Sequence, residues 1–199
     1  MQQFIKSYWE YFLELEEQFL ETKRYVDFDK ANEKTYSVEY LKLYQAVCSE
    51  IDVVAKEIVC VMNPHFKVDN STNIQKWGYE IQQQFPNVKL EKVIFNESMK
   101  LTPFDNWEYE WTITKDEKRR LKLVDGSQTP IWWKNYNDVK HQRIGLVAGT
   151  KNFQLANQKN LISAFSALFL LESLYMSRIT GNETIEFEKS KLFCREVVA

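Results

Sequence analysis

The sequence predicts a mainly α-helical bundle of about five helices with a small antiparallel β insertion at about residues 87–125. Three observations lead there. Apolar residues recur with a helical period over long stretches. Five Gly and four Pro are few for a loop-rich or all-β chain. Period-two alternation is confined to one central segment. The 199 residues suit a single domain, 1–199, large enough to bury a core.

The elements follow in order. Residues 3–24 put Phe4, Tyr8, Tyr11, Phe12, Leu15 and Phe19 on one side and Glu10, Glu14, Glu17 and Glu21 on the other, the pattern of an amphipathic helix. Residues 25–36 are polar and irregular. Ser37 suits the N-cap of a second helix that runs to about residue 62 and is stopped by Pro64. Its stripe is Tyr40, Tyr44, Val47, Ile51, Val54, Ile58 and Met62. A shorter helix is expected over 72–85, ended by Pro86. Val88 and Leu90, then Val93 and Phe95, then Trp107, Tyr109, Trp111 and Ile113, and briefly Leu121 and Leu123, alternate with polar residues. With a turn at Asp125-Gly126 this reads as the β insertion. At Thr129-Pro130 a helix opens, Thr able to cap and Pro able to take the first helical position. It fades by Gly145. After a loop over 145–149 comes a long helix over about 151–180. It is apolar nearly all round between Leu161 and Tyr175, as a buried central helix would be, and Gly181 suits its C-cap. The tail 182–199 has room for one more short helix.

The formal charge of −2 and pI of 5.8 give no global sign of a polyanion partner. The distribution is uneven. Residues 1–33 hold four Lys/Arg against eight Asp/Glu, whereas residues 115–151 hold nine against four. A local phosphate-binding face or two solvated surfaces would each account for this. Cys48 and Cys60 fall on one expected helix, roughly 18 Å apart, beyond disulfide reach. With Cys194 they make an odd, scattered set, which points to reduced thiols and a cytoplasmic location. The acidic, aromatic N-terminus is not a signal peptide. The longest apolar run, 161–171, is too short to cross a bilayer, so no membrane is expected. Histidines and cysteines show no metal-ligand spacing, and no metal or cofactor is expected.

Chemistry concentrates in residues 131–143, Ile-Trp-Trp-Lys-Asn-Tyr-Asn-Asp-Val-Lys-His-Gln-Arg. On a helix, Lys134, Asn137, Asp138 and His141 share one face, and Trp133, Tyr136, Lys140 and Arg143 lie on its neighbour. Trp132, Tyr136 and Val139 are expected to anchor the helix to the core. An imidazole can take or give a proton at neutral pH, and a nearby cation can hold a phosphate or stabilise a phosphorane. Those are the parts of metal-independent RNA cleavage, in which the base takes the ribose 2′-hydroxyl proton. Plainer roles stand beside these. A helical His is commonly a surface residue, and Trp132, Trp133 and Tyr136 are commonly core aromatics rather than base-stacking platforms. Lys118, Arg119, Arg120 and Lys122 suit a solvated strand end, with phosphate contact as the alternative, and His65 suits a turn. Glu50 and Lys56 border the second helix's stripe, where they could pair with the basic helix or face water.

The layout of acidic-aromatic helix, long helix with Cys-Ser-Glu-Ile-Asp, His-bearing basic helix and apolar helix resembles the HEPN superfamily of helical bacterial proteins. The likeness is carried by Trp132, Trp133, Tyr136, Asn137, Val139, Lys140, His141 and Arg143, then Ala156, Asn157, Asn160 and Leu161. It spans most of the helical chain but not the β insertion. The resemblance implies a helical bundle, homodimerisation through the motif helices and, in active members, metal-independent RNase activity. It also implies a phage-defence or toxin–antitoxin setting, with RNA and an antitoxin or other protein as partners. The family's signature has an Arg, commonly followed by a polar residue, then four to six residues and a His. Here Lys134-Asn135 occupies that place, and Lys cannot make Arg's bidentate phosphate contact. The site expected from this reading has His141, Lys134 and Arg143 as catalytic residues, with Asn135, Asn137 and Lys140 positioning the phosphate and two copies lining one cleft. The competing expectation is a non-catalytic helical module that binds a protein partner or a nucleotide through the same face.

Overall fold

The N-terminal helical segment is a composite of α1 (Gln2–Phe4), a π-helical turn (Ile5–Trp9) and α2 (Glu10–Glu21). A π turn holds more residues than an α turn, and across it Phe4 and Trp9, five residues apart, are both buried. The buried set is Phe4, Trp9, Phe12, Leu15 and Phe19. Tyr11 was expected inside but is 42% exposed, because it sits a 100° step away from Phe12. The computed structural model describes residues 2–114, 116–180 and 187–196.

The longest helix, α3 (Val38–Met62), begins where the capping residue predicts. The Ser37 hydroxyl accepts from the Tyr40 amide at 3.0 Å. Its expected stripe is buried from Tyr40 to Ile58, and Met62 is half-buried. Next, α4 (Ile74–Gln84) is opened by Asn73, whose side-chain oxygen accepts from the Gln75 and Lys76 amides.

The β insertion is two pieces rather than one. Strands β1 (Val93–Phe95) and β2 (Met99–Leu101) pair with each other, while β3 (Tyr109–Ile113) and β4 (Arg119–Leu123) form a separate two-stranded antiparallel ribbon. Helix α5 spans Ile131–His141. Pro130 is its N-cap residue rather than its first helical residue, and no side chain caps it.

A tight hairpin of β5 (Leu146–Val147) and β6 (Thr150–Lys151) follows. Its turn residues Ala148 and Gly149 both have positive φ, 47° and 80°, as a two-residue hairpin requires. Consequently the last long helix, α6 (Gln158–Thr180), starts later than the expected residue 151. The intervening Asn152 has a different task. Its side-chain amide donates to the Asp138 and Gln142 carbonyls at 3.2 and 2.7 Å, satisfying the end of α5.

As expected, α6 is the central helix, with α3 packed along it. Its length and composition would allow it to cross a bilayer, yet 83% of its most apolar window is buried within the fold. Gly181, its expected cap, lies outside the described residues.

The expected tail helix is replaced over its described part by a strand, β7 (Phe193–Arg195), which pairs antiparallel with β1. Alternation decides this: Phe193 is buried against Phe12 and Phe95 while Cys194 is exposed. Buried Glu16 clamps the same segment, accepting from the Ser190 hydroxyl and from the Lys191 and Leu192 amides.

Candidate nucleic-acid interface

Helix α5 is fixed from behind by its aromatic residues. Trp132, Trp133, Tyr136 and Val139 are buried. The Trp132 indole donates to the Pro103 carbonyl at 2.8 Å, and its carbonyl accepts from the buried Tyr44 hydroxyl. Trp133 stands edge-on to Trp77 of α4, ring centres 5.7 Å apart. These rings are core, so they offer no stacking platform. Burial, followed by the nearby Cys48 and Asp52, pushes the Tyr136 hydroxyl up to about 12, keeping it protonated at ordinary pH.

The front of the helix is different. Lys134, Lys140 and His141 are exposed, as is Arg143 just past the helix end. His141 has no hydrogen bond or ion pair among the described residues. Arg143 Nη2 donates to Gln45 Oε1 of α3 at 3.2 Å, which holds it toward that helix. Lys140 Nζ lies 5.5 Å from the centre of the Tyr136 ring, a cation–π distance. Asn135 and Asn137 are half-buried, and Asn137 Nδ2 donates back to the Trp133 carbonyl at 3.1 Å.

Two of the six expected site residues come together. Asn137 and Lys140 line a polar cavity of about 400 Å³ with Ser49 and Asp52 of α3, Asn73 and Gln75 at the head of α4, and Trp133 and Tyr136 as walls. Lys134, Asn135, His141 and Arg143 do not line it. Asp138 departs from the expected polar face, since its Oδ2 is buried without a hydrogen-bond partner among the described residues. Among the described residues neither Glu50 nor Lys56 pairs with the basic helix. Lys56 pairs with Asp52 at 2.5 Å, while burial raises the Glu50 carboxyl.

The sequence did not assign Ser49, Asp52, Asn73 and Gln75 to the site, since they come from other elements, although Ser49 and Asp52 stand in the Cys-Ser-Glu-Ile-Asp stretch of the second helix. Asn73 did leave a signal as a capping residue before an apolar run.

Ion pairing separates this region from the rest of the surface. Between residues 116 and 151 the described Lys118, Arg119, Arg120, Lys134, Lys140, Arg143 and Lys151 are exposed and have no ion-pair partner among the described residues. Lys122 alone is paired, with Glu110 at 3.1 Å. Elsewhere pairing is common, as in Lys42–Glu39, Lys100–Glu196, Lys159–Glu33, Lys191–Glu17 and Arg195–Glu91. Among the described residues no group of three His, Cys, Asp or Glu could hold a metal ion. No family model, curated protein or solved structure matches this chain.

Proposed function

We propose that this protein binds RNA through the basic segment between residues 116 and 151, with α5 at its centre. The observation that carries the reading is the run of exposed cations left without carboxylate partners. A cation already paired must break that pair to meet a phosphate. An unpaired one exchanges only counterions, and that release drives polyanion binding. Core aromatics hold α5 rigid behind its polar face, so Lys134 and Lys140 project from fixed backbone positions. The HEPN resemblance selects RNA among polyanions, and the phage-defence or toxin–antitoxin setting rests on that resemblance alone.

The exposed, unpartnered imidazole of His141 favours a second reading, metal-independent RNA cleavage. Its free ring nitrogen would take the 2′-hydroxyl proton, with Lys134 or Arg143 facing the crowded phosphorus. A cleft shared by two copies would supply the second set of these groups.

Both readings are tested on purified protein with single-stranded RNA in EDTA. Binding that weakens steeply with salt supports the first, and its absence at low salt overturns it. Cleavage that persists in EDTA and disappears in His141→Ala supports the second. Intact RNA with undiminished binding leaves a non-catalytic RNA-binding module.

A further inference from the structure

We propose that the β3–β4 ribbon is a second RNA contact, where an unpaired base of a single strand stacks on the Arg119 guanidinium. This rests on the RNA-binding reading and extends it to a different element.

The ribbon's register puts Tyr109 opposite Leu123, Trp111 opposite Leu121, and Ile113 opposite Arg119. Because side chains alternate, these residues share one face. That face passes from core to solvent along the ribbon. Tyr109 is buried, Trp111 is 39% exposed and Ile113 is 75% exposed. Trp111 packs edge-on against Tyr79 of α4, ring centres 5.9 Å apart. Arg119 Cζ lies 4.5 Å from the centre of the same indole. Tyr79, Trp111 and Arg119 therefore form a column that starts on a core helix and ends in an exposed, planar cation.

Folding does not account for the end of this column. Among the described residues no third strand pairs with either edge of the ribbon. Ile113 gains little burial where it stands, and Arg119 has no carboxylate partner among the described residues. An exposed apolar face capped by a flat cation matches a ligand with both a π-face and negative charge. A nucleobase carrying its phosphate is such a ligand, and Arg guanidinium planes are known stacking surfaces for unstacked bases. Lys118 and Arg120, both exposed and without ion-pair partners among the described residues, adjoin Arg119 in the chain with side chains alternating to the ribbon's other face, so they add positive charge near the stack without joining it. An acidic protein segment would satisfy the charge but leave the planar face unused. Duplex nucleic acid would hide its base faces.

The test is fluorescence anisotropy of the full chain with a labelled single-stranded oligoribonucleotide, beside one of the same length whose bases are replaced by abasic sites. Arg119→Lys keeps the charge and removes the plane. It is expected to weaken binding to the normal strand about tenfold, the loss of one stacked base, and to leave abasic-strand binding and melting temperature unchanged. Wild-type affinity in Arg119→Lys, with Lys140→Ala weakened, overturns the ribbon contact and spares the α5 reading. Equal weakening on both strands reduces Arg119 to a phosphate contact and overturns the stacking. Competition by polyglutamate as strong as by the oligonucleotide points to an acidic protein partner and overturns the assignment to RNA. A wild type that binds neither strand removes the RNA reading and this inference together.

Discussion

Helices α5 and α6 both carry ionisable groups among apolar residues, and they dispose of them in opposite ways. In α6 Glu172 is wholly buried, and neither carboxyl oxygen has a hydrogen-bond partner among the described residues. Burial first, then the nearby Glu50, raises its pKa well above the ordinary range. In α5 the aromatic residues go inside, while Lys134, Lys140 and His141 stay in solvent. The contrast follows from stripe width. A helix apolar all round has no outer face for a carboxyl, whereas a two-sided helix does. The buried carboxyl of Glu172 in α6 is a cost to the fold, whereas the exposed cations of α5 are free to meet a ligand.

The largest effect that sharpens this contrast is expected on the buried side of α5. Trp132→Ala removes a core indole and its bond to Pro103, and should lower unfolding free energy in urea by about 3–5 kcal/mol. A loss under about 1 kcal/mol would mean that α5 is anchored elsewhere. The aromatic layer behind α5 gives a second test. A Cβ on Gly78 would stand 2.3 Å from Cζ2 of Trp107, which stacks on Phe104 beside Trp132. Gly78→Ala should therefore cost about 1–3 kcal/mol through overpacking.

In α6 the sign reverses. Glu172→Met replaces an unpartnered buried carboxyl with an apolar chain and should stabilise by about 1–3 kcal/mol at neutral pH. The unfolded carboxyl titrates near its ordinary 4.5 and the folded one higher. The folded state thus retains a proton that the unfolded state sheds. Its contribution is fully present below 4.5 and is lost as pH rises through the raised value, and Glu50 acts in the same direction. Melting temperature should fall with rising pH in the wild type and fall less in Glu172→Met. Parallel curves would place the titrating group elsewhere.

The smallest stability effect belongs to the exposed side of α5. Lys134→Ala, Lys140→Ala and Arg143→Ala should each change stability by less than about 0.5 kcal/mol. Each should reduce the slope of log affinity for RNA against log salt by about one.

Much of the fold was legible because it is local. The α3 stripe, the Ser37 cap and the anchoring by Trp132, Tyr136 and Val139 follow from a 3.6-residue period and a side-chain oxygen in reach of free amides. What escaped notice depends on distant partners. β7 exists because β1 offers it an edge, and three residues of alternation do not reveal that edge. Asn152 looked like the start of α6 because its bonds to the end of α5 require a hairpin turn between them. The six expected site residues were all placed on α5 and at Arg143, two residues past its end, and four of them are exposed there, yet the cavity beside Lys140 needs residues from α3 and α4. No periodicity within one helix predicts such a meeting.

Anisotropy titrations of a single-stranded RNA, at low and moderate salt, against the wild type and the triple variant Lys134→Ala/Lys140→Ala/Arg143→Ala test the central claim most directly. The account predicts salt-sensitive binding by the wild type and its loss in the triple variant at unchanged melting temperature. A wild type that fails to bind at low salt, or a triple variant that binds as tightly, would contradict it.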